Sequence, residues 1–342
     1  MIIRAIEIRK IWVEPGRPGY LVFVADNEGY RGIGEATPLD GTTLDTAVEC
    51  EAALRATRPC HVFLRDESPD AVREAVTVVP EVAPSARFAL ECALLDLVAR
   101  RRQLSVAELL SDVKPTHSVV LNHLISNLEM DAPKQARDAI AEGFSVLKAK
   151  VGKRPFSEEF PLLQGLRNAI GFDFSLRLDA NGRWSPEEAR LYLEQLRQIH
   201  PEYVEQPTNV VALRGFGPTE VPWAADESLR IVGEAERLLD LGVCSTFVLK
   251  PLMLGSLLRA HQIARQATAR GVSVVLTHCF DGPTALAFYA ELALALAPDI
   301  SACGIAPHAG VVRWPFPAVS EHFRTTAWVQ PVSSIGCGIS IP

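Results

Sequence analysis

The sequence predicts an α/β protein, a (β/α)8-type (TIM-like) barrel preceded by an N-terminal α+β capping domain. Two patterns carry this. From about Ser118 onward, short apolar and β-branched runs alternate with helical stretches, the signature of βα units. The first part of the chain shows strand-like alternation with turn residues, and then helical periodicity. Length agrees: the 342 residues accommodate one barrel of ~250 residues plus an appendage. The expected division is 1–115 for the capping domain, 116–310 for the barrel and 311–342 for a C-terminal segment folding back toward the cap.

Each element follows from a local pattern. Residues 2–12 and 20–26 alternate as strands, with the loop Glu14-Pro-Gly-Arg-Pro-Gly19 between them, so an antiparallel meander is expected. The helical period is clearest over 84–99. Eight barrel strands are expected at 118–125, 145–151, 174–179, 203–205, 221–226, 246–250, 273–278 and 300–305. Helix starts lie between them: Ser185-Pro-Glu-Glu188 is a capping box with proline at the first helical position, and Gly282-Pro-Thr284 opens an apolar helix. A doubly wound open sheet is the structural alternative, but the Gly-rich phosphate turn it usually carries after its first strand is not visible.

Composition narrows the partners. With 34 basic against 41 acidic residues and a net charge of −7, the chain lacks the basic excess that phosphate-backbone binding relies on, so no nucleic-acid partner is expected. No membrane partner is expected either, because no apolar run approaches the ~18 residues of a spanning helix. The N-terminal alternation is not a signal peptide, and the cytosol (a cytoplasmic protein) is the expected compartment. Seven scattered cysteines without a C-x-x-C pair read as buried free thiols.

Chemistry is concentrated at the strand ends. Lys148 and Lys150 close the second barrel strand, Asp179 the third, Glu205 the fourth, Asp226 the fifth and Lys250 the sixth. The spacings from Lys150 onward are 29, 26, 21 and 24 residues, each about one βα unit. Lys148 and Lys150 share a face because side chains alternate with period two, and Arg177 and Asp179 repeat the arrangement. Asp179, Glu205 and Asp226 on adjacent strands should converge at the barrel mouth, where hard oxygen donors suit Mg²⁺, with Mn²⁺ as an alternative. The lysines of strands two and six would then face each other across the metal. Such a site suits proton removal next to a carboxylate, the metal stabilising the developing charge and a lysine acting as base. Lys150 is the expected base and Lys148 the neighbouring charge, with a small-molecule carboxylate as substrate. Taken singly, each residue reads as a solvated strand end, a turn or a helix cap. Two other function classes compete, a Schiff-base aldolase using Lys250 and a non-catalytic binding protein on the same scaffold.

These residues resemble the sequential motifs of the enolase superfamily in its muconate-cycloisomerase-like subgroup: Leu147-Lys-Ala-Lys150, Leu178-Asp-Ala-Asn181, Val204-Glu-Gln-Pro207, Ala225-Asp-Glu-Ser228 and Val248-Leu-Lys-Pro251. Gly32-Ile-Gly-Glu-Ala-Thr-Pro38 and Ala86-Arg-Phe-Ala-Leu-Glu91 resemble its capping domain. Within the subgroup, 176–181 is most similar to the o-succinylbenzoate synthases of menaquinone biosynthesis. The resemblance implies a Mg²⁺-dependent lyase that dehydrates 2-succinyl-6-hydroxy-2,4-cyclohexadiene-1-carboxylate. Asp179, Glu205 and Asp226 would hold the metal, Lys150 would take the proton and assist hydroxide departure, and Lys250 would stay cationic. Arg177, Asn181 and His278 join Lys148 as candidate substrate contacts, and loops near 14–19 and 41–46 would add specificity. Two segments depart from the pattern. Leu276-Thr-His-Cys-Phe-Asp-Gly282 lacks the serine-rich, acidic stretch of the synthases, so His278 reads equally as a hydrogen-bonded barrel histidine. Gly304-Ile-Ala-Pro-His-Ala-Gly310 lacks the paired aspartates of dipeptide epimerases. N-acylamino-acid racemase and cycloisomerase activities remain the alternatives.

Overall fold

The computed structural model describes residues 1–14, 16–125, 127–308, 310–311 and 319–341. Pro15 of the first hairpin, Ala309 of the eighth strand-end motif and 312–318 of the expected C-terminal segment lie outside the described residues. Strands β1 (Ile3–Glu14), β2 (Arg17–Asp26) and β3 (Arg31–Ala36) form an antiparallel sheet in that order. The stretch expected as a loop at 14–19 is instead drawn into the strands, with Glu14 opposite Arg17 and Ile11 opposite Gly19. Gly16, at φ +85°, supplies the left-handed backbone that this tight reversal needs.

Helices α1 (Ala47–Ala56), α2 (Pro69–Ala75), α3 (Pro84–Arg101) and α4 (Val106–Ser111) complete the N-terminal α+β domain. Helix α3 is buried on nearly every side, because it lies directly against β3. A Cβ on Gly32 would stand 2.0 Å from Ala93 O, and one on Gly34 1.9 Å from Ala89 O. Glycine on the strand and alanine one helical turn apart therefore fix the helix-to-sheet distance.

The barrel begins with β4 (Val119–Val120) and β5 (Asn122–Ile125), then α5 (Ala132–Ala141), β6 (Val146–Lys150), α6 (Phe156–Ile170), β7 (Ser175–Asp179), α7 (Pro186–Leu196) and β8 (Tyr203–Glu205). It continues through α8 (Val210–Leu213), β9 (Trp223–Ala225), α9 (Glu234–Leu241), β10 (Thr246–Leu249), α10 (Pro251–Leu254), α11 (Leu257–Thr268), β11 (Ser273–Leu276) and α12 (Pro283–Leu296). Strands β5 to β11 form one parallel, seven-stranded sheet in sequential order. Ser185 and Glu188 make the reciprocal cap of α7 that their spacing predicts.

The eighth strand is a correction. The segment 300–305 forms two isolated bridges, Leu121 to Cys303 and Thr277 to Gly304, instead of a strand. Cys303 N–H bonds Val120 O while Gly304 N–H bonds Leu276 O. Pairing thus switches neighbour from one residue to the next, and no ladder builds up on either side. The two bridges still join β5 to β11 and close the ring. Strand β12 (Trp328–Val329) pairs with β4, and Gly336 exchanges backbone bonds with Leu104 and Val106 beside α4.

Three buried glutamates fasten the domain to the barrel at helix N-termini. Glu35 of β3 accepts from Gly282, Thr284 and Ala285 N–H at the start of α12. Glu91 of α3 accepts from Ser256 Oγ and Leu258 N at the start of α11. Glu291 of α12 returns the contact, accepting from Ala107 N in α4 at 2.5 Å.

The tight β3–α3 approach sets a stability prediction. Gly34→Ala must push α3 off its sheet, and overpacking of this kind costs about 1–3 kcal/mol or more. Thermal unfolding should show a clear fall in Tm, whereas an unchanged Tm would mean that the helix has room to retreat.

Candidate active site

The mouth of the barrel is built in layers set by strand register. Lys150 lies opposite Asp179 and Asp179 opposite Glu205, which puts these three at one level. Lys148 is opposite Arg177, and Arg177 opposite Tyr203, one level deeper. Lys148 is long enough to climb out of its layer: its Nζ is 2.9 Å from Asp179 Oδ2 and 2.6 Å from Glu205 Oε2. Lys150 Nζ meets the same Asp179 oxygen at 3.1 Å and Asn181 Oδ1 at 2.7 Å. Four strand positions away, Lys250 at the end of β10 pairs with Asp226 Oδ2.

Electrostatics follow from that packing. Burial pulls the Lys148 and Lys250 ammoniums down, but it is outweighed by Asp179 and Glu205 at Lys148 and by Asp226 at Lys250, so both stand above the ordinary lysine value. Burial raises Asp179 while Lys148, Lys150 and Lys250 bring it below the usual carboxylate range. Glu205 moves the other way. Complete burial and the adjacent Asp179 push it up to about 8, and its Oε1 has no hydrogen-bond partner. Glu227, raised by burial and by Asp226, likewise leaves Oε2 without a partner.

The residues fit a hard divalent cation through this surplus of buried carboxylate oxygen. Among the described residues no group of three His, Cys, Asp or Glu side chains is already placed to hold a metal ion. Lys148 and Lys250 sit on the oxygens that would have to turn toward it. The unpartnered Glu205 Oε1 is the telling atom, since an unsatisfied buried oxygen is costly and a cation would satisfy it.

A cavity of about 540 Å³ opens over this layer, of a size suited to a small organic ligand. On one side lie Lys148, Lys150, Asp179, Asn181, Glu227 and Lys250, and on the other His278, Cys279, Phe280, Ala306, Pro307 and His308. Leu39 and Thr42 close it from the N-terminal domain. Of the two loops expected to give specificity, the one near 41–46 contributes Thr42. No described residue of 14–19 lines the cavity.

Arg177 is a correction among the expected substrate contacts. It faces the barrel interior, but its layer lies below the mouth. Its guanidinium is spent on both oxygens of Glu202 and on Ala302 O, and it lies over the Tyr203 ring, 1% exposed. Asn181 does line the cavity, joining Lys150 to Glu227. His278 lines it with both nitrogens occupied, Nδ1 accepting from Phe280 N at 2.9 Å and Nε2 lying 3.2 Å from Ala306 O. Hydrogen-bonded barrel histidine and cavity wall are therefore the same residue.

Several residues of the site carry no role in the sequence reading. Gln206 Oε1 accepts from Asp226 N and Ser228 N, and its Nε2 donates to Ser228 Oγ, so the fourth strand end clamps the fifth. Both residues lie inside the quoted motifs, and that placement was the available signal. Glu227 had the same signal. His308, Cys279 and Phe280 lie in the two quoted strand-end segments that depart from the pattern, but strand-end position alone does not say which residues turn inward.

With this geometry in view, the comparisons with known proteins are decisive. Residues 131–341 match the family model described as Enolase C-terminal domain-like, and 18–111 match the Mandelate racemase / muconate lactonizing enzyme N-terminal domain. The chain belongs to the enolase superfamily, in its muconate-cycloisomerase-like subgroup. This superfamily member is 30% identical over 300 residues to the o-succinylbenzoate synthase of Desulfotalea psychrophila, covering 78% of the chain and 80% of the relative. It is 26% identical over 290 residues to the hydrophobic dipeptide epimerase of Enterococcus faecalis, covering 81% and 78%. Among solved structures, the dipeptide epimerase of Methylococcus capsulatus complexed with a Mg ion superposes with a TM-score of 0.85 at 26% identity, over the full length of both chains.

The state of His278 yields a pH prediction. Burial pushes its imidazole down to about 4, Asp281 opposing and His308 and Lys250 adding to the shift. The unfolded chain takes up a proton near pH 6.5 that the folded site refuses until about 4. This component of stability is therefore present above pH 6.5 and lost as pH falls through that window. Tm measured against pH should fall more steeply for the wild type than for His278→Gln between those values, and parallel curves would contradict the assignment.

Proposed function

We propose that the protein is an o-succinylbenzoate synthase, a carbon–oxygen lyase that removes water from 2-succinyl-6-hydroxy-2,4-cyclohexadiene-1-carboxylate to give 2-succinylbenzoate. The observation that carries the reading is the split character of the cavity. One wall holds the lysines and carboxylates, while the other, at the seventh and eighth strand ends, is carbon-rich and presents Ala306, Pro307 and His308. Among the described residues no carboxylate faces the cavity there to pair with the free ammonium of a dipeptide, since Asp281 is buried and taken by Thr37, Tyr289 and Cys279 N–H. A ring carboxylate needs no such partner.

In this reading Asp179, Glu205 and Asp226 would hold Mg²⁺, which would supply the positive charge that makes the proton next to a substrate carboxylate more acidic. Lys150 removes that proton. As an ammonium it then protonates the departing hydroxyl on the same face, which accounts for a syn elimination. Lys250, across the barrel, stays cationic against the delocalised negative charge. Lys148 bridges Asp179 and Glu205 and adds a second positive charge beside Lys150. Asn181 fixes the Lys150 amine through the contact at 2.7 Å.

A second reading has its own support. Lys250 is placed to deliver a proton to the face opposite Lys150, as racemisation or epimerisation of an acylated amino acid requires, and an epimerase is among the similar proteins. Incubation with the cyclohexadiene carboxylate and Mg²⁺ should produce the aromatic product, followed in the ultraviolet. Racemisation of N-acylamino acids without that product would transfer the assignment.

Two variants test the roles. Lys150→Ala should lower turnover by about 10²–10⁴, the span of a lost general acid–base group, while leaving Mg²⁺ affinity near that of the wild type. Retained turnover would remove Lys150 from the mechanism. Glu205→Gln should instead weaken Mg²⁺ binding measured by calorimetry, and unaltered affinity would exclude Glu205 as a ligand.

A further inference from the structure

One buried cation near the cavity has no part in the proposed chemistry. Arg17, at the start of β2, is 8% exposed. Its guanidinium donates to backbone carbonyls on both sides of the domain boundary. Nη2 reaches Thr37 O at 2.7 Å and Cys279 O at 3.1 Å, Nη1 reaches Phe280 O at 3.0 Å, and Nε reaches Pro38 O at 3.2 Å. The nearby carboxylate of Glu14, 3.9 Å away, belongs to the same hairpin. Thr37 Oγ1 extends the seam by donating to Asp281 Oδ1 at 2.9 Å.

The turn that Arg17 holds is a strained one. Phe280 has φ +56°, in the left-handed region that costs a bulky side chain free energy and persists only where neighbours enforce it. Here Arg17 takes its carbonyl and His278 Nδ1 takes its N–H. The turn places three rings at the cavity. His278 and His308 stack with centroids 5.4 Å apart, and Phe280 meets them edge-on at 5.8 and 5.6 Å. His308 is tied as His278 is, with Nε2 2.9 Å from Asp281 O and Nδ1 accepting from Gly310 N. With all four ring nitrogens spent on backbone, the three rings offer the cavity carbon and π surface and no free ring nitrogen.

We propose that Arg17 is a positioning residue that locks this three-ring wall, and that the wall selects a conjugated ring carboxylate over a flexible acyclic one. The inference rests on the cavity being the substrate site and adds the class of substrate it prefers. A flat π system gains from contact with stacked rings, whereas a tetrahedral acyl amino acid gains little.

The test uses the full-length enzyme with Mg²⁺ and two probes, 2-succinylbenzoate and N-succinylvaline, titrated by calorimetry into wild type, Arg17→Met and Phe280→Ala. Both variants should bind the aromatic probe about five- to tenfold more weakly and keep the acyclic probe within about twofold. For the diene, KM should rise in step while kcat changes less, and Arg17→Lys should recover part of the loss. Equal weakening of both probes, or none, overturns the proposal, and Phe280→Ala decides should Arg17→Met fail to fold. A selective loss in an enzyme that does not turn over the diene would sink the synthase reading and leave the wall standing. Normal diene turnover with no selective loss would do the reverse.

Discussion

Burying a carboxylate is worthwhile only where something meets its charge, and this fold meets it at helix N-termini across the domain boundary. Glu35 crosses to α12, Glu91 to α11, and Glu291 crosses back to α4. Each satisfies backbone N–H groups that no residue inside the helix can reach, at the end where the helix dipole favours negative charge by up to ~2 kcal/mol. The compensation is partial. Burial, with Asp281 nearby, still pushes Glu35 up to about 8 in spite of three N–H donors. Such an arrangement tolerates little drift, since a small separation leaves carboxylate and amides both unsatisfied. The joint is therefore stiff in position, and the cavity between domain and barrel inherits a fixed shape.

That stiffness explains which parts of the molecule could be read from the chain. The cluster of charges at the strand ends was legible because one βα unit recurs between Lys150, Asp179, Glu205, Asp226 and Lys250, and period-two alternation gave their common face. The same alternation misled at Arg177. It says that Arg177 faces inward with Asp179, but not that one residue pair of rise puts it under the floor, against Glu202 and Tyr203. The eighth strand was legible as an apolar run and not as an interrupted one, because its hydrogen bonds divide between two neighbours. The hairpin at 14–19 read as a loop because its prolines and glycines signal a turn, while turn composition does not show that its flanks pair across that turn, Glu14 with Arg17, Trp12 with Pro18 and Ile11 with Gly19. Glu35, Glu91 and Glu291 were invisible as caps, since the helices they cap lie far from them in sequence.

The seventh strand end shows how a departure from a family pattern becomes structure. A serine-rich, acidic stretch would present hydroxyls and charge to the cavity. Here Asp281 is turned away and buried, accepting from Thr37, Tyr289 and Cys279 N–H, while the histidine, cysteine and phenylalanine before it line the cavity. The acidic residue of the segment is retained but serves the domain joint. This strand end turns ring surface toward the cavity, and the N-terminal domain, through Arg17 and Thr37, holds it in place.

Charge balance at the barrel mouth then constrains how the site can fill. Asp179, Glu205, Asp226 and Glu227 contribute −4 against +3 from Lys148, Lys150 and Lys250, a formal balance of −1. A substrate carboxylate arriving first would raise this to −2 in a largely buried site, where like charges repel strongly. A dication arriving first brings it to +1, and one substrate carboxylate then brings it to zero. The residues thus favour metal before substrate, and each makes the other's binding easier.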